Sequence, residues 1–120
     1  MKNVLIICDN IQEINRVRRY FGTEYKVRAT NAIENAYSSI KAQTPDLAIC
    51  HIGTDFSKLF GFYKNLRQSA ATETLPLIVI ADTGVLKALT DTVELKSTAL
   101  IGSLITHENM QNVIESLIGE

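Results

Sequence analysis

The sequence predicts a doubly wound α/β domain, a parallel sheet with helices on both faces. Three observations carry this expectation. Short apolar runs alternate with segments whose apolar residues recur at spacings of three and four. The runs Val4-Leu5-Ile6-Ile7, Leu47-Ala48-Ile49-Cys50 and Leu77-Ile78-Val79-Ile80 contain no charged or hydroxyl side chain, as strands covered on both faces require. One segment, Tyr25-Lys26-Val27-Arg28-Ala29, instead alternates apolar with charged residues, which marks a half-exposed edge strand.

Taken in order, Val4 to Ile7 is the first strand. Asp9 or Asn10 caps a first helix with Ile11, Ile14, Val17 and Phe21 on its apolar face, and Gly22 ends it. The edge strand follows at residues 25–29. Asn31 opens a second helix carrying Ile33, Ala36, Tyr37 and Ile40, and Pro45 marks the loop beyond it. Leu47 to Ile52 is the third strand. A loop from Gly53 to Ser57 leads to a third helix with Leu59, Phe62, Tyr63 and Leu66. Thr74-Leu75-Pro76 precedes the fourth strand, Leu77 to Ala81; Asp82-Thr83-Gly84 then turns into a fourth helix with Leu86, Leu89 and Val93. A short strand near Ala99-Leu100-Ile101 and a last helix capped by Thr106, with Met110, Val113, Ile114 and Leu117, complete the chain.

Five strands and five helices in strict alternation specify a parallel sheet, because right-handed crossovers permit little else. With the second strand at an edge, the predicted order is 2-1-3-4-5. Ligands of such sheets bind at the carboxyl ends of the strands, where the first and third strands diverge. That crevice is lined by Cys8, Asp9 and Asn10 on one side and by residues from His51 to Thr54 on the other.

Composition narrows the function classes. The 120 residues form a single domain, residues 1–120, with 46% hydrophobic side chains. Twelve basic against thirteen acidic residues give a net charge of -1, so nothing favours nucleic acid or an anionic membrane. Arg16, Arg18 and Arg19 read as the solvated face of a helix, and His107, in the first turn of the last helix, as solvated. No run approaches the roughly 20 apolar residues that span a bilayer, and the N-terminal apolar stretch is too short for a signal peptide. Cys8 and Cys50 close apolar runs and read as buried, reduced thiols of a cytoplasmic protein. Glycine-rich phosphate loops, Gly-x-Ser-x-Gly, Cys-x-x-Cys and His-Glu-x-x-His are all missing.

From Val4 to Leu117 the chain resembles the receiver domain of two-component response regulators, a flavodoxin-like fold. The matching stretches are Val4-Leu5-Ile6-Ile7-Cys8-Asp9-Asn10, Pro45-Asp46-Leu47, Gly61-Phe62 and Leu75-Pro76-Leu77-Ile78-Val79-Ile80. The resemblance implies a phosphorelay signalling role, but the family's functional positions are mostly changed. Where the family has an acidic pair after the first strand, this chain has Cys8-Asp9. The phosphoacceptor aspartate falls at His51, the hydroxyl residue after the fourth strand at Ala81, the lysine at Ser103 and its following proline at Leu104. The switch aromatic of the fifth strand falls at Leu100. Only Asp9 survives.

These losses compensate one another. Phosphoryl transfer to a carboxylate needs the aspartate, a Mg²⁺ held by oxygen ligands, and cations or hydroxyls for the developing charge. Without the nucleophile the rest is redundant, and a lysine facing a neutral imidazole would be a cation without its partner. The expectation is a pseudo-receiver: not an enzyme, without cofactor, its His51 a neutral imidazole hydrogen-bonded to Asp9 or a loop carbonyl. The resemblance further implies a protein partner or self-association through the fourth helix, fifth strand and fifth helix, with Leu86, Lys87, Leu100 and Leu104 on that surface.

Two readings from other classes stay open. One is an altered switch in the Asp9/His51 crevice, responsive to a proton, a phosphoryl group or, through Cys8, Asp9 and His51, a soft metal. The other is a small-molecule or flavin site in the same crevice, although Cys8-Asp9-Asn10-Ile11-Gln12 lacks the hydroxyl-rich loop that flavin binding requires.

Overall fold

In the computed structural model of the chain, the residues described are 2–51, 56–92, 95, 97–102 and 105–118. The strands are β1 Lys2–Cys8, β2 Tyr25–Thr30, β3 Leu47–His51, β4 Leu77–Ala81 and β5 Thr98–Gly102. The helices between and after them are α1 Ile11–Arg18, α2 Ile33–Ala42, α3 Phe56–Gln68, α4 Thr83–Thr92 and α5 His107–Ile118. All strands are parallel, in the order β2-β1-β3-β4-β5. None of the helices among the described residues is long and apolar enough to cross a membrane.

Two apolar layers follow from the period of two along each strand. Val4, Ile6 and Cys8 of β1, with Leu47 and Ile49 of β3 and Ile78 and Ile80 of β4, pack under Ile14, Val17, Met110, Ile114 and Ile118. These are the buried residues of α1 and α5. Leu5, Ile7, Ala48, Cys50, Leu77, Val79 and Ala81 face the opposite way, onto Ala36, Ile40, Leu59, Leu66, Val85 and Leu89 of α2, α3 and α4. Every side chain from Val4 to Cys8 is buried, so β1 has no solvent face. This explains its unbroken apolar run.

Local chemistry sets the helix ends. Asn10 is extended, and its side chain accepts from the amides of Gln12 at 2.9 Å and Glu13 at 3.3 Å, capping α1. Asp82 caps α4 through Val85 N at 3.0 Å, and Thr106 caps α5 through Asn109 N at 3.2 Å. The second helix starts at Ile33, and the residue in its cap position, Ala32, makes no side-chain cap bond; Asn31 does not fill that role.

Helix α1 is shorter than its apolar spacing predicts. It stops at Arg18, and Phe21 is buried from the turn beyond. Ile11, expected on the apolar face, stands 70% exposed. As the first helical residue it sits at the rim, past the last strand residue, Cys8. Val93 lies outside the described residues; the buried residues of α4 are Val85 and Leu89, with Leu86 half-buried beside them.

Two guanidinium groups tie elements together. Arg28 of edge strand β2 donates to the Ser39 hydroxyl at 2.9 Å and to the Gln43 carbonyl at the end of α2. Arg67 of α3 donates to the carbonyls of Thr72 at 3.0 Å and Glu73 at 3.2 Å, and to Thr98 Oγ1 of β5 at 3.1 Å. Both place a cation against backbone carbonyls that helices and turns leave over.

Gly22 has φ +58°, and a Cβ there would meet nothing within 4 Å. Its substitution therefore tests backbone conformation alone. Gly22→Ala is expected to lower stability by about 1 kcal/mol through the left-handed backbone. Urea denaturation should show a lower midpoint with an unchanged slope.

Candidate functional site

The strand register brings the carboxyl-end residues into line. Cys8 of β1 pairs with His51 of β3, and His51 pairs with Ile80 of β4. Cys8 belongs to the α1/α5 layer, and His51 has the same parity as Leu47 and Ile49, so it projects to that layer too. Cys50 and Ala81 belong to the opposite layer. The sheet thus brings Cys8 and His51 together and keeps Ala81 away from them.

Cys8 is 1% exposed, and its thiol proton has two acceptors within reach: Asn10 O at 3.5 Å and His51 Nδ1 at 3.9 Å. On the other side of the ring, Nε2 lies 3.3 Å from Glu13 Oε2, with the His51 side chain 16% exposed. Nε2 is buried and this approach falls outside hydrogen-bond geometry, so the contact is electrostatic. A carboxylate on the Nε2 side favours the proton on Nε2 and leaves the Nδ1 lone pair toward the thiol.

Glu13 is itself held. Arg16 donates to Glu13 Oε2 from Nε at 2.9 Å, with its Nη2 at 2.8 Å from the same oxygen. Arg16 also donates to the Tyr20 hydroxyl at 3.1 Å. The Tyr20 ring packs at 5.4 Å on His107, the exposed first residue of α5, and Gln111 of α5 donates to Tyr20 O. A polar chain therefore runs from the thiol at the sheet rim across α1 to α5.

The charges respond as this arrangement requires. The hydrogen bond from Arg16 holds the Glu13 carboxyl below its ordinary value, against some burial, and Arg16 is raised in return. Burial pushes the Cys8 thiol up and the Cys50 thiol up much further, so both are protonated at neutral pH.

Of the positions singled out in sequence, Asp9 is exposed in the turn before α1, and the partner of His51 is Glu13 instead. Leu86 and Leu100 are half-buried against the α2–α4 layer, and Lys87 is exposed. Ser103 and Leu104 lie outside the described residues. Glu13 and Arg16 were the residues to find. Their signal is the sequence Asn10-Ile11-Gln12-Glu13, a cap with an acid three residues on, followed by an arginine three further.

Two titrations follow, with opposite signs. Glu13, lowered in the fold, adds stability above about pH 4.3, lost as pH falls through its folded value. The raised thiols add stability below about pH 8.5, lost as pH rises and the unfolded thiols ionise. Melting temperature against pH should therefore fall on both flanks. Glu13→Gln should flatten only the acid flank, and Cys50→Ala only the alkaline one.

No protein-family model and no curated protein sequence matches the chain. Solved structures do. The signal receiver domain of a histidine kinase from Syntrophus aciditrophicus superposes with a TM-score of 0.80 at 13% identity, covering 98% of this chain and 90% of that one. A response regulator described as putative, from Chloroflexus aurantiacus, gives 0.78 at 19% identity, covering 99% and 98%. The receiver domain of a sensor histidine kinase from Pseudomonas aeruginosa, solved with magnesium in its active-site cleft, gives 0.76 at 14%, covering 99% and 98%. The five-stranded order and the five helices agree with these neighbours. The chain has the fold of response-regulator receiver domains.

Proposed function

We propose that this chain is a receiver-type domain of a bacterial, cytoplasmic two-component or phosphorelay system that signals without being phosphorylated. It performs no catalysis; it works by protein–protein association, through a signalling partner or a second copy of itself. One observation carries this reading: the side chain at the end of β3 is His51, held between the Cys8 thiol and the Glu13 carboxylate.

The crevice fits neither the nucleophile nor the metal of phosphoryl transfer to a carboxylate. Mg²⁺ demands octahedral oxygen ligands, usually carboxylates and water. Among the described residues no three His, Cys, Asp or Glu side chains converge as metal ligands. Asp9 is turned to solvent, and Glu13 is committed to Arg16, whose fixed positive charge would oppose a divalent cation. The P. aeruginosa neighbour holds magnesium in its cleft.

Association is proposed at α4, β5 and α5. Lys87 is exposed there, while Leu86 and Leu100 supply half-buried apolar surface. Such a mixture of apolar centre and charged rim suits a modest interface.

The deciding experiment treats the protein with acetyl phosphate and Mg²⁺, and separately with beryllium fluoride and Mg²⁺. The expected result is an unchanged intact mass and unchanged amide resonances near residues 9, 51 and 102. A phosphoryl adduct, or resonances that move with beryllium fluoride, would overturn the reading. Sedimentation equilibrium tests association: Lys87→Glu should weaken self-association, or capture of a signalling partner, by roughly 5-fold, on the order of 1 kcal/mol for a rim charge.

A further inference from the structure

The Cys8–His51 pair is a built constellation that phosphorylation-independent association does not use. It rests on geometry independent of the proposed function, and each can stand without the other. Sγ and Nδ1 face each other at 3.9 Å. Ligand bonds of about 2.3 Å to thiolate sulfur and about 2.0 Å to imidazole nitrogen sum to about 4.3 Å. The two donors therefore stand close enough for one ion to reach both through a bent bridge.

The surroundings are those of a ligating histidine. Such histidines commonly direct their second nitrogen at a carboxylate, which fixes the tautomer and the ring. Glu13 stands on that side, 3.3 Å from Nε2 though outside hydrogen-bond geometry, and Arg16 holds Glu13 from 2.8 Å. The backbone carbonyl of Asn10, 3.5 Å from Sγ, is the next oxygen available.

We propose that Cys8 and His51 bind a soft monovalent cation, copper(I) in kind, bridged between Sγ and Nδ1. Donor number and charge both select this class. Among the described residues no third His, Cys, Asp or Glu joins the pair, and a tetrahedral Zn²⁺ site needs at least three protein ligands. Thiolate selects copper(I), and imidazole suits copper. Binding replaces the thiol proton: the S–H bond breaks, the proton leaves to solvent, and a sulfur–metal bond forms in its place with no change of oxidation state. A monovalent ion leaves the net charge of the buried crevice unchanged, whereas a divalent ion would add a positive charge near Arg16. The way in is the rim, where His51 is 16% exposed.

The test is anaerobic titration of the full chain with copper(I) against a chromogenic copper(I) chelator. One equivalent should be retained. Cys8→Ser and His51→Ala should each abolish retention, and Cys50→Ser should keep it. Glu13→Gln should weaken binding by roughly 10- to 100-fold, the range for a supporting carboxylate. Circular dichroism establishes that each variant folds. X-ray absorption at the copper edge of the unmutated protein needs no variant, and should show sulfur and nitrogen together in the first coordination sphere. Complete loss of copper to the chelator, retention that depends on Cys50 instead of Cys8, or a sphere of sulfur alone would overturn the proposal.

Discussion

A strand covered on both faces has no side to spare, and β1 obeys that constraint along its length. Each residue from Val4 to Cys8 is buried and belongs to one helix layer or the other. The period of two sends Val4, Ile6 and Cys8 toward α1 and α5, and Leu5 and Ile7 toward α2, α3 and α4. Register then does the rest. Because Val4 pairs with Leu47, the two strands end together with Cys8 beside His51, both projecting to the same layer. A slip of one residue in β3 would exchange its two faces, putting Cys50 beside the thiol and His51 in the opposite core. The cost of burying an unpaired imidazole there makes the register self-checking.

The same constraint explains what was legible in the chain before folding. Burial on both faces leaves an unbroken apolar run, so β1, β3 and β4 could be read directly, and the exposed edge betrayed β2 through Lys26 and Arg28. The rim was harder. Asp9 follows β1 immediately and looked like the partner of His51, but a residue in the turn points wherever the cap sends it, and Asn10 turns the chain so that Asp9 meets solvent. Glu13 reaches His51 because one helical turn from the cap returns the chain over the rim. The cap-to-acid spacing from Asn10 to Glu13 is visible in the sequence, but which strand end that turn overhangs is not. Arg16 was likewise read as one more solvated cation; its environment became defined only once Glu13 and Tyr20 were placed around it. Ile11 failed for the opposite reason: its spacing fits the apolar stripe, yet the stripe begins beyond the end of the sheet.

Charge placement at the rim works through position more than through stability. The Glu13–Arg16 pair is about a third exposed, at 32% and 36%, so water screens it and its contribution to folding is small. Its consequence lies in what it occupies. Both Arg16 contacts and the imidazole approach fall on one oxygen of Glu13, Oε2, so that oxygen is already occupied. A guanidinium fixed 2.8 Å from that carboxylate also offsets the negative charge that would attract one. On the proposed reading, the Glu13–Arg16 pair adds to the absence of a carboxylate at His51 in disfavouring a divalent cation at this rim.

On the proposed reading, the occupied rim bears on how the domain works. A switch needs two conformations and an input that binds one better than the other. With Leu86 and Leu100 packed into the α2–α4 layer, the face formed by α4 and β5 is held by the same apolar contacts that hold the sheet. On the proposed reading that face has one dominant shape, so a partner meets a surface already competent to bind and pays no conformational penalty. On that reading control passes from modification of the domain to the supply of the domain and its partner. An input could still enter through the rim, along the contacts from Cys8 and His51 through Glu13, Arg16 and Tyr20 to α5. Its reach would be set by the differential affinity of whatever binds there.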